Sequence, residues 1–282
     1  MQPYTASHSP GRWWGVGLVL LLIGACARQP DTPAAHELLN ATLWIQHSAE
    51  YRAIGLQAYH LARTNLDRAL ADPTWTAALE QTDRYSSLPP AVIIDVDETA
   101  LDNSPNEARL IRDRATFTYD TWDIWVEEAR ARPVPGALEF CQYAADKGVT
   151  VFYVTNRQDH LREATRRNLE QLGFPLDEHR ETILTRGDNS DKGPRRAALA
   201  KDYRILLLIG DDARDFSSDF VGASLPERNE LPAKYASWWG RKWIVLPNPL
   251  YGDWEKVIFG ADGYALDRNK RLKRKLEALR YE

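Results

Sequence analysis

The sequence is poor in sulfur, with 2 Cys and 1 Met in 282 residues. Two cysteines, Cys26 and Cys141, cannot build a disulfide framework, so the fold must rest on a packed core. Nor is there a surplus of charge of one sign. Lys plus Arg number 36 and Asp plus Glu 40, a formal net charge of −4. That balance rules out a nucleic-acid polymer held through a broad basic field. Disorder is ruled out as well, because Trp 10 and a hydrophobic content of 44% demand burial. No internal repeat is visible. What remains is one large α/β domain with appendages, or two small domains.

Long apolar runs are scarce, and the conspicuous one is WWGVGLVLLLIGA at 13–25. It has the length of a signal-peptide core and is short for a transmembrane span. Arg12 supplies the preceding positive charge. The run closes on Ile23-Gly24-Ala25-Cys26, which resembles a bacterial lipobox. The resemblance implies loss of residues 1–25, a diacylglyceryl group on Cys26 and a lipid anchor in a bacterial cell envelope. Ala27 follows the cysteine where Asp would signal inner-membrane retention, which points to the outer membrane. The alternative is an ordinary secretory peptide or uncleaved anchor with Cys26 incidental. Residues 26–36 read as a Pro-rich tether. Cys141, in Ala137-Leu138-Glu139-Phe140-Cys141, reads as a small buried hydrophobe.

Residues 37–71 have helical periodicity, with Leu38, Leu39, Trp44, Ile45, Tyr51, Ile54, Leu61 and Leu66 as the expected buried face. Asp72-Pro73 breaks it, and a second short helix is expected over 74–85. The helical N-terminal segment thus covers 37–86. From 90 to 260 the pattern changes to short apolar runs at 91–95, 150–154, 183–184, 204–209 and 242–247, separated by amphipathic stretches. Such runs alternating with helices predict a parallel sheet covered on both faces. A small insertion is expected at about 104–149, too small for a large cap. Residues 261–282 read as a basic helix, either solvated with its leucines packed on the body or lying on an anionic membrane.

Several strands carry polar residues at their C-terminal ends, the edge where open parallel sheets bind ligands. The first runs into Asp95-Val96-Asp97-Glu98-Thr99, two carboxylates one residue apart. Paired acids can divide nucleophilic and proton-transfer roles, because proximity splits their proton affinities. Thr155-Asn156-Arg157, Asp191-Lys192-Gly193 and Gly210-Asp211-Asp212-Ala213-Arg214-Asp215-Phe216 follow in order.

This set resembles the haloacid-dehalogenase (HAD) superfamily, and more narrowly the class C acid phosphatases, which include outer-membrane lipoprotein 5′-nucleotidases. The residues that carry it are IIDVDETALDN at 93–103, FYVTNR at 152–157, DKGPRRAAL at 191–199 and GDDARDF at 210–216, with WDIWV at 122–126, PVPGALEF at 133–140 and NPLYGDWE at 248–255. The chain departs from the family pattern at Val96, Ala100, Asn106 and Asp212-Ala213. The resemblance implies a HAD-like Rossmannoid α/β fold over 90–260. It further implies Asp95 as nucleophile forming an aspartyl-phosphate, Asp97 as general acid and base, and Thr155 with the Asn156 amide on the phosphoryl oxygens. Lys192 would balance charge. One Mg²⁺ would be held by Asp95, the Asp97 carbonyl and Asp211, with Asp215 and Asp212 behind it. Glu98 and Asp102 read as structural.

Phe117, Tyr119, Trp122 and Trp125 cluster in the insertion, and the resemblance adds Tyr251. Phe117, Trp122 and Tyr251 are the candidate substrate contacts, by stacking a base; the alternative is that they are core. Trp125 reads as packing. The expected function is Mg²⁺-dependent hydrolysis of small phosphomonoesters, with nucleoside 5′-monophosphates first among substrates. The alternatives are a HAD phosphotransferase or sugar-phosphatase, or a phosphate-binding lipoprotein of low turnover. The oligomeric state is not legible.

Overall fold

The computed structural model describes residues 36–260 and 263–281. The apolar run at 13–25, Cys26 and nearly all of the tether lie outside the described residues.

The opening helical run is two helices, α1 (Leu39–His47) and α2 (Ala49–Ala71). Ser48 separates them: its backbone is extended, and its hydroxyl accepts the Tyr51 amide at 3.0 Å, capping α2. The buried stripe of α2 differs from the large-residue face expected. Ile54 and Leu61 are exposed, whereas Gly55, Ala58, Tyr59, Ala62, Leu66 and Ala69 are buried. Small residues bring the helix close, since a Cβ on Gly55 would meet the Pro135 carbonyl at 2.9 Å.

Residues 74–85 are not the helix expected from their pattern; they run as turns and extended chain. Their polar groups serve the sheet instead. The Ala77 amide donates to Ile205 O at 2.7 Å, Trp75 Nε1 to Leu206 O at 2.8 Å, and the Ile205 amide donates to Gln81 Oε1 at 3.0 Å. These bonds satisfy a strand edge that the neighbouring strand does not reach, and a helix could not supply them.

The first sheet strand is β1 (Pro90–Ile94). Then come β2 (Leu101–Asp102), α3 (Ser104–Arg112), α4 (Tyr119–Glu127), β3 (Arg132–Pro133) and α5 (Ala137–Asp146). β2 and β3 pair antiparallel, Leu101 opposite Pro133, and close the base of an insertion carrying α3 and α4. That insertion is shorter than the 104–149 expected. Phe140, Cys141 and Ala144 of α5 lie in the main core, so α5 is a crossover helix of the sheet.

Strand and helix then alternate through β4 (Thr150–Gln158), α6 (Arg162–Leu172), β5 (Ile183–Arg186), α7 (Gly193–Asp202), β6 (Arg204–Gly210), α8 (Leu225–Lys234), β7 (Trp243–Val245), α9 (Asp253–Phe259) and α10 (Arg268–Glu277). The sheet order is β5-β4-β1-β6-β7, all parallel. Successive β1 residues serve opposite cores, as strand geometry requires. Val92 and Ile94 join Tyr59, Leu66, Phe140 and Leu169; Ala91 and Ile93 join Leu199, Phe216, Tyr235 and Trp243. The fold is therefore the α/β sheet covered on both faces that the apolar runs predict. The register places Ile94 beside both Tyr153 and Ile209, so Asp95, Thr155 and Asp211 project from one edge.

The C-terminal helix exists, but its leucines do not pack on the body as one of the two expectations held. Leu272 and Leu276 are exposed, whereas Arg271 is buried. No helix among the described residues is long and apolar enough to cross a membrane.

Candidate active site

The loop after β1 is built to hold two carboxylates apart. The Asp95 amide continues the ladder to Ile209 O at 2.9 Å. The chain then folds back, with the Ala100 and Leu101 amides donating to Val96 O at 3.0 and 2.8 Å. Glu98 takes a left-handed φ of 55°, a conformation that costs a non-glycine residue about 1–2 kcal/mol. Its buried carboxylate receives the Asn103 amide at 2.8 Å and Asn103 Nδ2 at 3.2 Å, which holds the turn. Asp102 accepts the Ser104 amide at 2.8 Å at the start of α3. Glu98 and Asp102 thus shape the loop.

Asp95 is buried against Lys192, which stands at the N-cap of α7. Lys192 Nζ contacts Asp95 Oδ1 and lies 2.6 Å from Asp215 Oδ1. Burial pushes the Asp95 carboxyl up to about 7, against the pull of Lys192, and the charges of Asp215 and Asp97 add to the rise. Burial also works against the charge on Lys192, yet Asp215 and Asp95 outweigh it and raise its pKa.

Asp211, beyond the end of β6, accepts Asn248 Nδ2 at 2.7 Å and the Thr99 hydroxyl at 3.3 Å. Burial, then the charges of Asp95 and Asp215, push its carboxyl well above the usual range. Asp95, Asp211 and Asp215 offer oxygens that all lie within 4.8 Å of one another. Three converging carboxylates against one lysine leave negative charge uncompensated. This hard-oxygen set could hold a divalent cation.

Asp215 therefore stands in the cluster itself. Asp212, expected beside it, also lines the cavity, but its carboxylate is taken up by the loop. It accepts the Arg214 amide at 3.0 Å and the Asp253 amide at 2.8 Å, with Arg228 Nη2 at 3.4 Å. Burial opposes its charge, but Arg214, Arg228 and these amides lower its pKa. Asp212 fixes the loop from behind.

Thr155 and Asn156 lie within β4 at the same edge. Thr155 is buried; its hydroxyl accepts the Arg157 amide at 3.1 Å and reaches Asp97 Oδ2 at 3.4 Å. Arg195 donates to Thr155 O at 2.5 Å and to Asn156 Oδ1 at 2.7 Å. Asp97 is held by Arg157, whose Nη2 lies 2.8 Å from Oδ1, and by Asn103 Nδ2 at 2.9 Å.

These groups open into a cavity of about 320 Å³. Its apolar side includes Leu110, Phe117, Tyr119, Trp122, Leu250 and Tyr251. Phe117 and Trp122 rings lie 6.2 Å apart, tilted by 47°, and Arg157 sits 5.7 Å from the Trp122 ring. All three candidate substrate contacts thus line the cavity, whereas Trp125 is buried with its Nε1 donating to Asn103 Oδ1 at 2.8 Å. Arg271 of α10 also lines it, and its buried Nε has no hydrogen-bond partner among the described residues.

Sequence reasoning missed Arg157, Asn103, Asn248 and Arg271. The first three lie inside the motifs given above, in the same stretches as Thr155, Asp97 and Tyr251, and that was the available signal; Arg271 had none.

Comparison with known proteins follows the same lines. Residues 27–254 match the family described as HAD superfamily, subfamily IIIB (acid phosphatase). The class C acid phosphatase from Bacillus anthracis superposes with a TM-score of 0.77 at 32% identity, covering 86% of this chain and 97% of that one. It has also been solved with tungstate bound. Acid phosphatase 1 of Solanum lycopersicum is 30% identical over 169 residues, which are 56% of this chain and 57% of that protein. The stem 31 kDa glycoprotein of Glycine max is 25% identical over 58% of its length. The chain thus spans little more than half the length of these curated relatives.

Proposed function

Because the chain belongs to the acid phosphatase family of HAD subfamily IIIB, we propose that it hydrolyses small phosphomonoesters through an aspartyl-phosphate on Asp95, with Mg²⁺ as cofactor. The observation that carries this reading is the separation of partners at one sheet edge. Lys192 holds Asp95 and Arg157 holds Asp97, with both acids facing one cavity.

An Asp95 oxygen attacks phosphorus, and the ester oxygen leaves with a proton from Asp97. Asp97 then takes a proton from the water that hydrolyses the aspartyl-phosphate. Lys192 offsets the negative charge gathered where nucleophile and phosphate meet. The Thr155 hydroxyl and Asn156 amide hydrogen-bond the transferring oxygens. When bound by Asp95, Asp211 and Asp215, Mg²⁺ supplies the positive charge that keeps Asp95 ionised and offsets charge growing on the phosphoryl group.

Phe117, Trp122 and Tyr251 give the cavity an aromatic wall suited to a flat organic group, and nucleoside 5′-monophosphates are the proposed substrates. Cys26 is the proposed lipid attachment that places the enzyme at a bacterial outer membrane; Cys26→Ser is expected to abolish lipid labelling. A pure phosphate-binding role leaves Asp97 without work, since binding needs no general acid.

Phosphate release from a panel of phosphomonoesters, with and without EDTA, tests the reading. Activity that EDTA removes and Mg²⁺ restores, highest on nucleotides, supports it. Full activity in EDTA contradicts the metal assignment, and transfer to an acceptor alcohol in preference to water would make the protein a phosphotransferase.

A further inference from the structure

Helix α10 shows solvent the side that an amphipathic helix ordinarily hides. Leu272 and Leu276, four residues apart and so on one face, are 46% and 56% exposed. Leu279 at 54% and Tyr281 at 85% continue that apolar surface past the helix end. The attachment to the body is polar instead. Arg271 is buried, and Lys275 Nζ lies 2.6 Å from Glu37 Oε2 and 2.5 Å from Glu255 Oε1.

The surroundings of the leucines say what would cover them. Segment 268–281 carries Arg268, Lys270, Arg271, Lys273, Arg274, Lys275 and Arg280, with Glu277 as its acid. Of these, Lys275 is ion-paired to the body and Arg271 is buried against it. Arg268 lies one turn before Leu272 on the same face, and Lys273 and Arg280 flank the stripe. Cations beside an apolar stripe match a surface that is negative outside and apolar beneath. A protein groove complementary to this stripe would need acids at its rim. Glu37, at the start of the described residues, is bonded to Lys275. The family match ends at residue 254, before α10 begins.

We propose that α10 is a membrane-surface helix. Leu272, Leu276 and Leu279 enter the boundary between headgroups and acyl chains of an anionic bilayer, and Arg268, Lys273 and Arg280 meet the lipid phosphates. The active-site cavity, to which Arg271 contributes from the other side of the helix, then lies close to the membrane surface.

Hydrogen exchange of the full chain tests this without altering it. Vesicles of phosphatidylcholine with phosphatidylglycerol should slow exchange in 268–281 by at least about ten-fold. Pure phosphatidylcholine vesicles should not, and high salt should reverse the protection. Leu272→Ser with Leu276→Ser should abolish it while phosphate release is unchanged. Sedimentation with anionic vesicles and unaltered exchange in 268–281 would overturn the proposal. So would protection that appears without vesicles and grows with protein concentration, because a second copy would then cover the stripe.

Discussion

The Arg157 guanidinium grips the Asp97 carboxylate, with Nη2 donating to Oδ1 at 2.8 Å and Nε to the same oxygen at 3.0 Å. Its third nitrogen donates to the Thr165 hydroxyl at 3.0 Å, so the arginine is itself fixed to α6. Two acids one residue apart therefore cannot collapse onto one cation. Asp97 is held on one side and Asp95 on the other by Lys192.

Arg157→Lys keeps the charge and loses the planar fork. The expected result is a fall in kcat of about 10²-fold on alkyl phosphates, whose leaving oxygen needs the Asp97 proton. The fall on p-nitrophenyl phosphate should be much smaller, because nitrophenolate leaves unprotonated. Steady-state kinetics on both substrates checks this; equal losses would make Arg157 a general structural support.

Gly210→Ala should disable the site from behind. A Cβ there would stand 2.2 Å from Asp215 Oδ2 and 2.6 Å from its Cγ, so the Asp215 carboxylate must move. Lys192 and the cation-binding oxygens move with it. Misplacement on the scale of 1 Å lowers kcat by about 10²-fold. Mg²⁺ is expected to raise the melting temperature of the parent protein but not of this variant, measurable by scanning fluorimetry.

Glu107 gives stability a pH dependence of its own. Burial, with a smaller contribution from Glu255, pushes its carboxyl from the ordinary 4.5 up to about 7, and the Asn106 hydrogen bond only partly opposes this. The folded state therefore keeps a proton that the unfolded chain loses above 4.5. Between 4.5 and 7 stability must fall as pH rises, by roughly 3 kcal/mol in all, and the loss is complete above 7. Glu107→Gln removes that slope. Urea unfolding at pH 5 and pH 8 should show a smaller drop in the variant by about that amount; parallel curves would refute the assignment.

The sheet was legible because its strands are continuous apolar runs that end in acids, a pattern only a covered parallel sheet explains. The meeting of Asp95, Asp97, Thr155, Lys192 and Asp211 at one edge was legible for the same reason, each lying near a strand's C-terminal end or at the start of a helix. What was not legible depends on side-chain direction. Asp212 and Asp215 look alike in sequence and cap the same turn reciprocally, yet only Asp215 also joins the cluster, because the 3₁₀ turn at Ala213–Asp215 carries it inward. Residues 74–85 have helical spacing, but Trp75 and Ala77 meet an unpaired strand edge, a tertiary demand that overrides local preference. The inverted face of α10 was hidden likewise, since an amphipathic pattern gives a moment and not its direction relative to the body.

The central claim is that Asp95 carries the phosphoryl group and Asp97 moves the protons. Asp97→Asn, mixed with p-nitrophenyl phosphate and Mg²⁺ and quenched in acid within one turnover, tests it most directly. The first step needs no acid for this leaving group, and the second lacks its base. Mass spectrometry should find a phosphoryl adduct on the peptide containing Asp95, and Asp95→Asn with Asp97→Asn should show none. Release of nitrophenol with no adduct at Asp95, or an adduct on another residue, would contradict the account.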